Sequence, residues 1–223
     1  MKKWLNGIAI GLFCVVAALA ATGCASRPGI PTAIVRDAEM IKLPGAPTPE
    51  GHGDADCNIA AHWDADKLFV FFSLGHPFRS SGPDFRHLSR PADRTEFDND
   101  TTWVDDGRWI EATYKADDGL LYGWYHNEPH PVCGDERLTA PRIGAVVSSD
   151  NGMNWKDLGI VLTAPADSLC CETANYYFCG GNGDFCVNLD NNRQYFYFFI
   201  STYNRDMAEQ GVSVARMALK DIS

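Results

Sequence analysis

The chain has 223 residues, 45% of them hydrophobic, and a formal net charge of -10. That acidic balance excludes nucleic acid and other polyanions as natural partners, because binding them needs basic surface to displace counterions. Neutral and cationic ligands stay open.

The first predicted element is an export signal over residues 1–23. Lys2 and Lys3 precede an apolar run from Ile8 to Ala21, and small residues lead out through Ala21-Thr22-Gly23-Cys24. A charged start, an apolar centre and a small-residue exit describe secretion. The run is shorter than the ~20 apolar residues of a spanning helix. The exit resembles a bacterial lipobox, with Ala21 where Leu is more usual. That implies a lipid on Cys24 and a membrane partner reached through it, at the bacterial periplasm or cell surface. A plain signal peptide with an incidental cysteine is the other reading. Removing residues 1–23 takes away two lysines and no acids, which moves the net charge from -10 to -12. Residues 24–53, with Pro28, Pro31, Pro44, Pro47 and Pro49, read as a tether with one strand around Ala33-Ile34-Val35.

Six cysteines follow: Cys57, Cys133, Cys170, Cys171, Cys179 and Cys186. An even number in an exported chain fits disulfides, and the paired Cys-x2-4-Cys spacing of zinc sites is absent. No metal site is indicated. Cys170 and Cys171 are adjacent, so different partners are expected for them.

Residues 54–223 read as nearly all β. Leu68-Phe69-Val70-Phe71-Phe72, Leu120 to Tyr125, and Tyr195 to Ile200 are aromatic and β-branched runs bounded by turn residues. No stretch of ten or more residues shows a helical period. Each run follows a polar turn: Asp64-Ala65-Asp66-Lys67, Asp117-Asp118-Gly119 and Asp190-Asn191-Asn192-Arg193. Six residues before the first Asp of each turn stand Asn58, Glu111 and Asp184, at intervals of 53 and 73 residues. Asp56 lies two residues before Asn58, on the same face of an extended strand. Hairpin repeats of this size point to the blades of a β-propeller. Inner strands line its central channel, so Asp56, Glu111 and Asp184 are expected to converge there. The plainer reading is that acids merely open strands and cap turns.

Arg142 to Val147 and Gly211 to Arg216 supply a third strand in two units. Between them Ser148-Ser149-Asp150-Asn151-Gly152-Met153-Asn154-Trp155 resembles the Asp-box, with Asn154 in place of Thr. That motif is a structural turn of sialidases and other propellers.

The openings Asp56-Cys57-Asn58, Trp109-Ile110-Glu111-Ala112 and Gly183-Asp184-Phe185 together resemble the five-bladed propeller glycoside hydrolases of the arabinanase and β-xylosidase type. The resemblance spans residues 54–217. It implies three site carboxylates, one each as base or nucleophile, pKa modulator and acid. The family order is Asp, Asp, Glu, whereas the Glu here comes second. Only about three blades fit in this length, so the chain is expected to be an incomplete portion of a longer propeller. The expected function is glycoside hydrolysis of neutral oligosaccharides or polysaccharides, with Asp56 as base or nucleophile, Glu111 as acid and Asp184 as modulator, the last two exchangeable. A non-catalytic glycan-binding surface lipoprotein is the alternative. The chemistry requires no cofactor, and a structural calcium ion is admissible though not indicated. Expected substrate contacts are His62, Arg79, Trp124, His126 and Glu128. Arg79-Ser80-Ser81-Gly82-Pro83 otherwise reads as a loop and Trp124 as blade packing.

Overall fold

The computed structural model describes residues 34–48, 53–99 and 107–222. The export signal of residues 1–23 and the lipid site at Cys24 lie outside the described residues. The chain divides into two units, Met1–Glu39 and Met40–Ser223. In the first, Ile34 and Val35 belong to no strand and are 75% and 93% exposed. No ladder satisfies their backbone, so the β-branched pair expected to start a strand does not. The second unit takes in the later half of the expected tether. Ala46 is fully buried there, and β1 (Ala46–Pro47) pairs with β2 (Gly53–Asp54).

Three mainly antiparallel sheets follow as blades. The first runs β3 (Ala61–Asp64), β4 (Lys67–Ser73), β5 (Pro77–Gly82) and β6 (Asp93–Arg94). The second comprises β7 (Glu96–Phe97), β8 (Trp109–Lys115), β9 (Leu121–Asn127), β10 (Arg142–Ser148) and β11 (Asn154–Leu162). Its order is β7-β11-β10-β9-β8, and β7 pairs parallel to β11. The third is β12 (Asn182–Leu189), β13 (Tyr195–Thr202) and β14 (Gly211–Ala218). The only described helices are three single 3-10 turns. The segment at Arg79, read also as a loop, is the paired strand β5.

The central strands of the first two blades are unbroken apolar runs because both their faces are covered. On β4, Leu68, Val70 and Phe72 pack with Ala46, Leu88 and Ala92. Phe71 faces the other way, with Ile110, Leu121, Tyr125, Val146 and Trp155 of the second blade. Between blades two and three, Trp124, Ile143 and Ala145 meet Phe185, Phe196, Phe198 and Ile200. The far face of the third blade has no such cover: Phe199, Val212 and Val214 are 40%, 72% and 58% exposed.

Among the described residues one disulfide, Cys133–Cys171, joins the β9–β10 and β11–β12 connections across 38 residues of chain. Cys57, Cys170, Cys179 and Cys186 carry free thiols, so the cysteines do not all pair. Closing a loop of this length restricts the unfolded chain by about 4 kcal/mol. Cys133→Ser is therefore expected to lower unfolding free energy by about that amount in urea titration. A loss under about 1 kcal/mol would show that the bridge adds nothing to the fold.

Candidate active site

Regular pairing breaks in all three blades at the same place, the opening of the inner strand. Between β8 and β9, Ile110 faces Tyr125 and Ala112 faces Trp124, so Glu111 has no opposite partner. Between β12 and β13, Asn182 faces Thr202 and Phe185 faces Ile200, which leaves Gly183 and Asp184 out of the ladder. In the first blade, Phe71 N–H donates to Ala60 O and Asp56 N–H to Ser73 O, with the register slipping across Cys57, Asn58 and Ile59. Such bulges re-aim side chains that alternation would send elsewhere.

The re-aimed groups meet at the backbone of one residue, Phe185. Phe185 N–H donates to Glu111 Oε2 at 2.7 Å, and Asn58 Nδ2 donates to Phe185 O at 2.8 Å. His126, at the end of β9, completes the cluster. Its Nε2 is 3.2 Å from Glu128 Oε1 and its Nδ1 is 3.8 Å from Asp184 Oδ1. One donor atom each from Glu111, His126 and Asp184 lies within 4.8 Å of the others.

Glu111 is only 4% exposed, and its Oε1 has no hydrogen-bond partner among the described residues. Burial pushes its pKa up to about 9. The Phe185 N–H works against that rise, and the Asp184 charge adds to it. Loss of water disfavours the charged form, and a neighbouring negative charge does the same. Glu111 is therefore a neutral, proton-bearing acid at pH 7. Beside it burial holds the Cys57 thiol up at about 12. The Asp184 side chain is 58% exposed and opens toward solvent. The same three donor atoms could hold a divalent cation.

An aromatic ladder borders the cluster. Tyr203 stacks on Phe178 with centroids 3.9 Å apart, and Phe178 lies 4.4 Å from Tyr177. Burial raises the Tyr203 hydroxyl pKa, and Asp184, Glu128 and Glu111 raise it further. A side chain at Gly183 would collide with the Tyr203 ring, which explains the glycine beside Asp184.

The structure brings together Glu111, Asp184, His126 and Glu128. Asp56 is exposed and outside this group. Its charge reaches the Tyr177 hydroxyl together with those of Glu128 and Asp184, so it borders the same rim. Asn58, not Asp56, is the first-blade residue that touches Phe185.

Three expected substrate contacts stand elsewhere. His62 is buried at the opposite strand ends, ring-stacked 5.2 Å from Phe69, its Nε2 3.4 Å from Asn151 Oδ1. Burial lowers its pKa to about 4, so it is neutral at pH 7. Arg79 donates to Asp150 O and Asn151 O, tying blade one to a turn of blade two. In that turn Asp150 accepts from the Met153 and Asn154 N–H groups. Trp124 is 3% exposed and sits between blades two and three, 5.2 Å from Phe196 and 5.4 Å from Phe198. Its indole has no face left for a sugar. Sequence reasoning passed over Tyr177, Phe178 and Tyr203; the aromatic run ahead of the glycines at 180, 181 and 183 was the signal for the first two.

No protein-family model matches the chain, and no curated protein matches it in sequence. Solved structures share its fold. An exo-β-1,3-galactanase from Phanerochaete chrysosporium, solved with galactose, superposes with a TM-score of 0.53 at 9% identity, over 81% of this chain and 39% of that one. A thermostable family-43 glycoside hydrolase gives 0.51 at 9% identity, over 75% and 49%. The chain spans less than half the length of either. The likeness is one of fold: the chain forms part of a β-propeller of the kind found in family-43 glycoside hydrolases.

Proposed function

We propose that this chain carries the acid-bearing side of a glycoside hydrolase site acting on neutral oligosaccharides or polysaccharides, exported through residues 1–23 and tethered by lipid at Cys24. The observation that carries this reading is Glu111, a buried carboxyl raised to about 9 beside the open Asp184 carboxylate. Glycoside hydrolysis needs one protonated carboxyl to help the leaving oxygen depart. Glu111 Oε1 is the atom to hold that proton, since Oε2 already accepts from Phe185. One oxygen each of Glu111 and Asp184 lie within 4.8 Å, whereas the carboxyl groups of an inverting pair stand roughly 6.5–9.5 Å apart. Asp184 therefore serves as the neighbour that keeps Glu111 protonated. Asp56 supplies the base or nucleophile from the same rim. His126, held by Glu128, steadies the Asp184 side and faces the substrate.

The pH dependence tests this assignment. Hydrolysis of a panel of neutral arabino-, xylo- and galacto-oligosaccharides is expected to decline on the alkaline side near pH 9, as Glu111 loses its proton. Asp184→Asn removes a charge that favours that proton, so the alkaline limb should move to lower pH. A limb that stays in place removes Asp184 from the modulating role, and a panel wholly untouched removes the enzyme.

Asn58 favours a second reading. An amide stands where the first inner strand would offer its carboxylate to the Phe185 peptide, which suits a glycan-binding protein without turnover. Oligosaccharide binding with no sugar released on long incubation would decide for it.

A further inference from the structure

We propose a separate sugar-binding subsite beside the acid cluster, built on Tyr176 and Tyr177 and suited to the distal residues of an extended neutral glycan. It rests on the glycosidase reading above. The site is a cleft of about 640 Å³ between the β9–β10 and β11–β12 connections, lined by His130, Asp135, Arg137, Leu138, Tyr176 and Tyr177 among others. That volume falls in the range of small-ligand clefts.

The protein places an aromatic ring here at a conformational cost. Tyr176 is 77% exposed and has a φ of +52°, a left-handed backbone that a bulky residue rarely adopts. Strain of this kind persists only where the surroundings impose it, and it gathers at ligand sites. The surroundings are plain. Phe178 N–H donates to Asn175 O, closing a turn with Tyr176 at its tip. Asn175 is 1% exposed and its Nδ2 donates to Asn204 O at 3.0 Å. Thr139 N–H holds Tyr177 O at 2.9 Å, and the Cys133–Cys171 bridge fastens the two connections together. The result is a solvent-facing ring carried on a backbone fixed from both sides, an aromatic anchor with few torsions to order on binding. Its face fits the C–H face of a pyranose or furanose.

The polar lining fits hydroxyls. Arg137 Nε and Nη2 hold Asp135 at 3.1 and 2.8 Å in a flat fork, which leaves outward donors and acceptors for neighbouring hydroxyl pairs. Asp135, Glu136 and Glu172 outnumber Arg137 in the lining. That balance repels uronate or sulfated sugars and selects neutral ones. The cleft also leads to the acids. Tyr177 lines it, feels the charges of Glu128, Asp56 and Asp184, and begins the ring ladder that ends at Tyr203. A glycan lying on Tyr176 would present its next unit to Glu111.

The test is affinity against chain length. Calorimetric titration of the chain in its Glu111→Gln form, with neutral arabino-, xylo- and galacto-oligosaccharides of two to six units, prevents turnover. Affinity should rise with length in the best series. Tyr176→Ala should erase that rise, weakening the longest ligand by about tenfold, and Tyr176→Phe should restore it. Tyr176 faces solvent, and retained cooperative melting of the Ala variant separates lost stacking from lost fold. A length-dependent gain that survives Tyr176→Ala, or no gain in the parent, overturns the subsite and leaves the acid site standing. Failure of every oligosaccharide to bind the parent overturns the glycosidase reading, and the subsite with it.

Discussion

Glu111→Gln is expected to lower hydrolysis by about 10³-fold and, at pH 7, to make the protein more stable by about 3 kcal/mol. The opposite signs have one cause. The folded carboxyl titrates at about 9 against an ordinary 4.5. Below pH 4.5 both folded and unfolded chains hold the proton, and the folded state keeps its full advantage. As pH rises from 4.5 to 9 only the unfolded chain releases it, so stability falls through that window. Each pKa unit is worth about 1.4 kcal/mol, and pH 7 lies 2.5 units into the window, which sets the magnitude. Gln is neutral throughout and keeps the acceptor for Phe185 N–H, so its slope vanishes. Urea midpoints of both forms between pH 4 and 9, with initial rates, give the result. Equal stability at pH 7 would mean that the folded carboxyl is ionised and is no general acid. This is the usual opposition between activity and stability at a site.

Trp124→Ala is the second large effect, and it should fall on the fold. Truncating a buried Trp costs about 3–5 kcal/mol through lost transfer energy and the cavity left behind. For a chain of this size that corresponds to a fall in melting temperature of about 6–20 °C. Trp124 is 3% exposed between Phe196 and Phe198, with no room for the seam to close over the gap. By contrast Trp63 is 52% exposed, and its change to Ala should stay within about 0.5 kcal/mol. Calorimetric melts of the two variants make the comparison. A Trp124→Ala protein that melts like the parent but no longer binds oligosaccharide would return Trp124 to the ligand.

The central strands were legible because aromatic runs between acidic turns are local patterns. Residues 68–72, 121–125 and 195–200 all became middle strands, the first two covered on both faces and the third on one. The count of six residues back from each turn also singled out Asn58, Glu111 and Asp184, which meet at Phe185 and in the cluster around it. Strict alternation put Asp56 on the same strand face as Asn58, so the carboxylate was expected in the site. The register slip across Cys57–Ile59 breaks that rule, and nothing in the local sequence announces a bulge. His62 and Arg79 were beyond reach for another reason. Their partners at Asp150 and Asn151 lie 71 to 89 residues away, on a turn whose docking against blade one depends on the whole arrangement. The Cys133–Cys171 pairing is of the same kind.

The backbone of Phe185 has a consequence for how the three sheets live with the chemistry. Its nitrogen leans on the acid of the second sheet and its oxygen on the amide of the first. A carboxylate accepts a hydrogen bond more strongly than a carboxylic acid. On the proposed mechanism, each turnover strips and restores a proton at a structural rivet, so the joint tightens and slackens in time with bond cleavage. Wear on that joint and reaction progress then become one and the same motion.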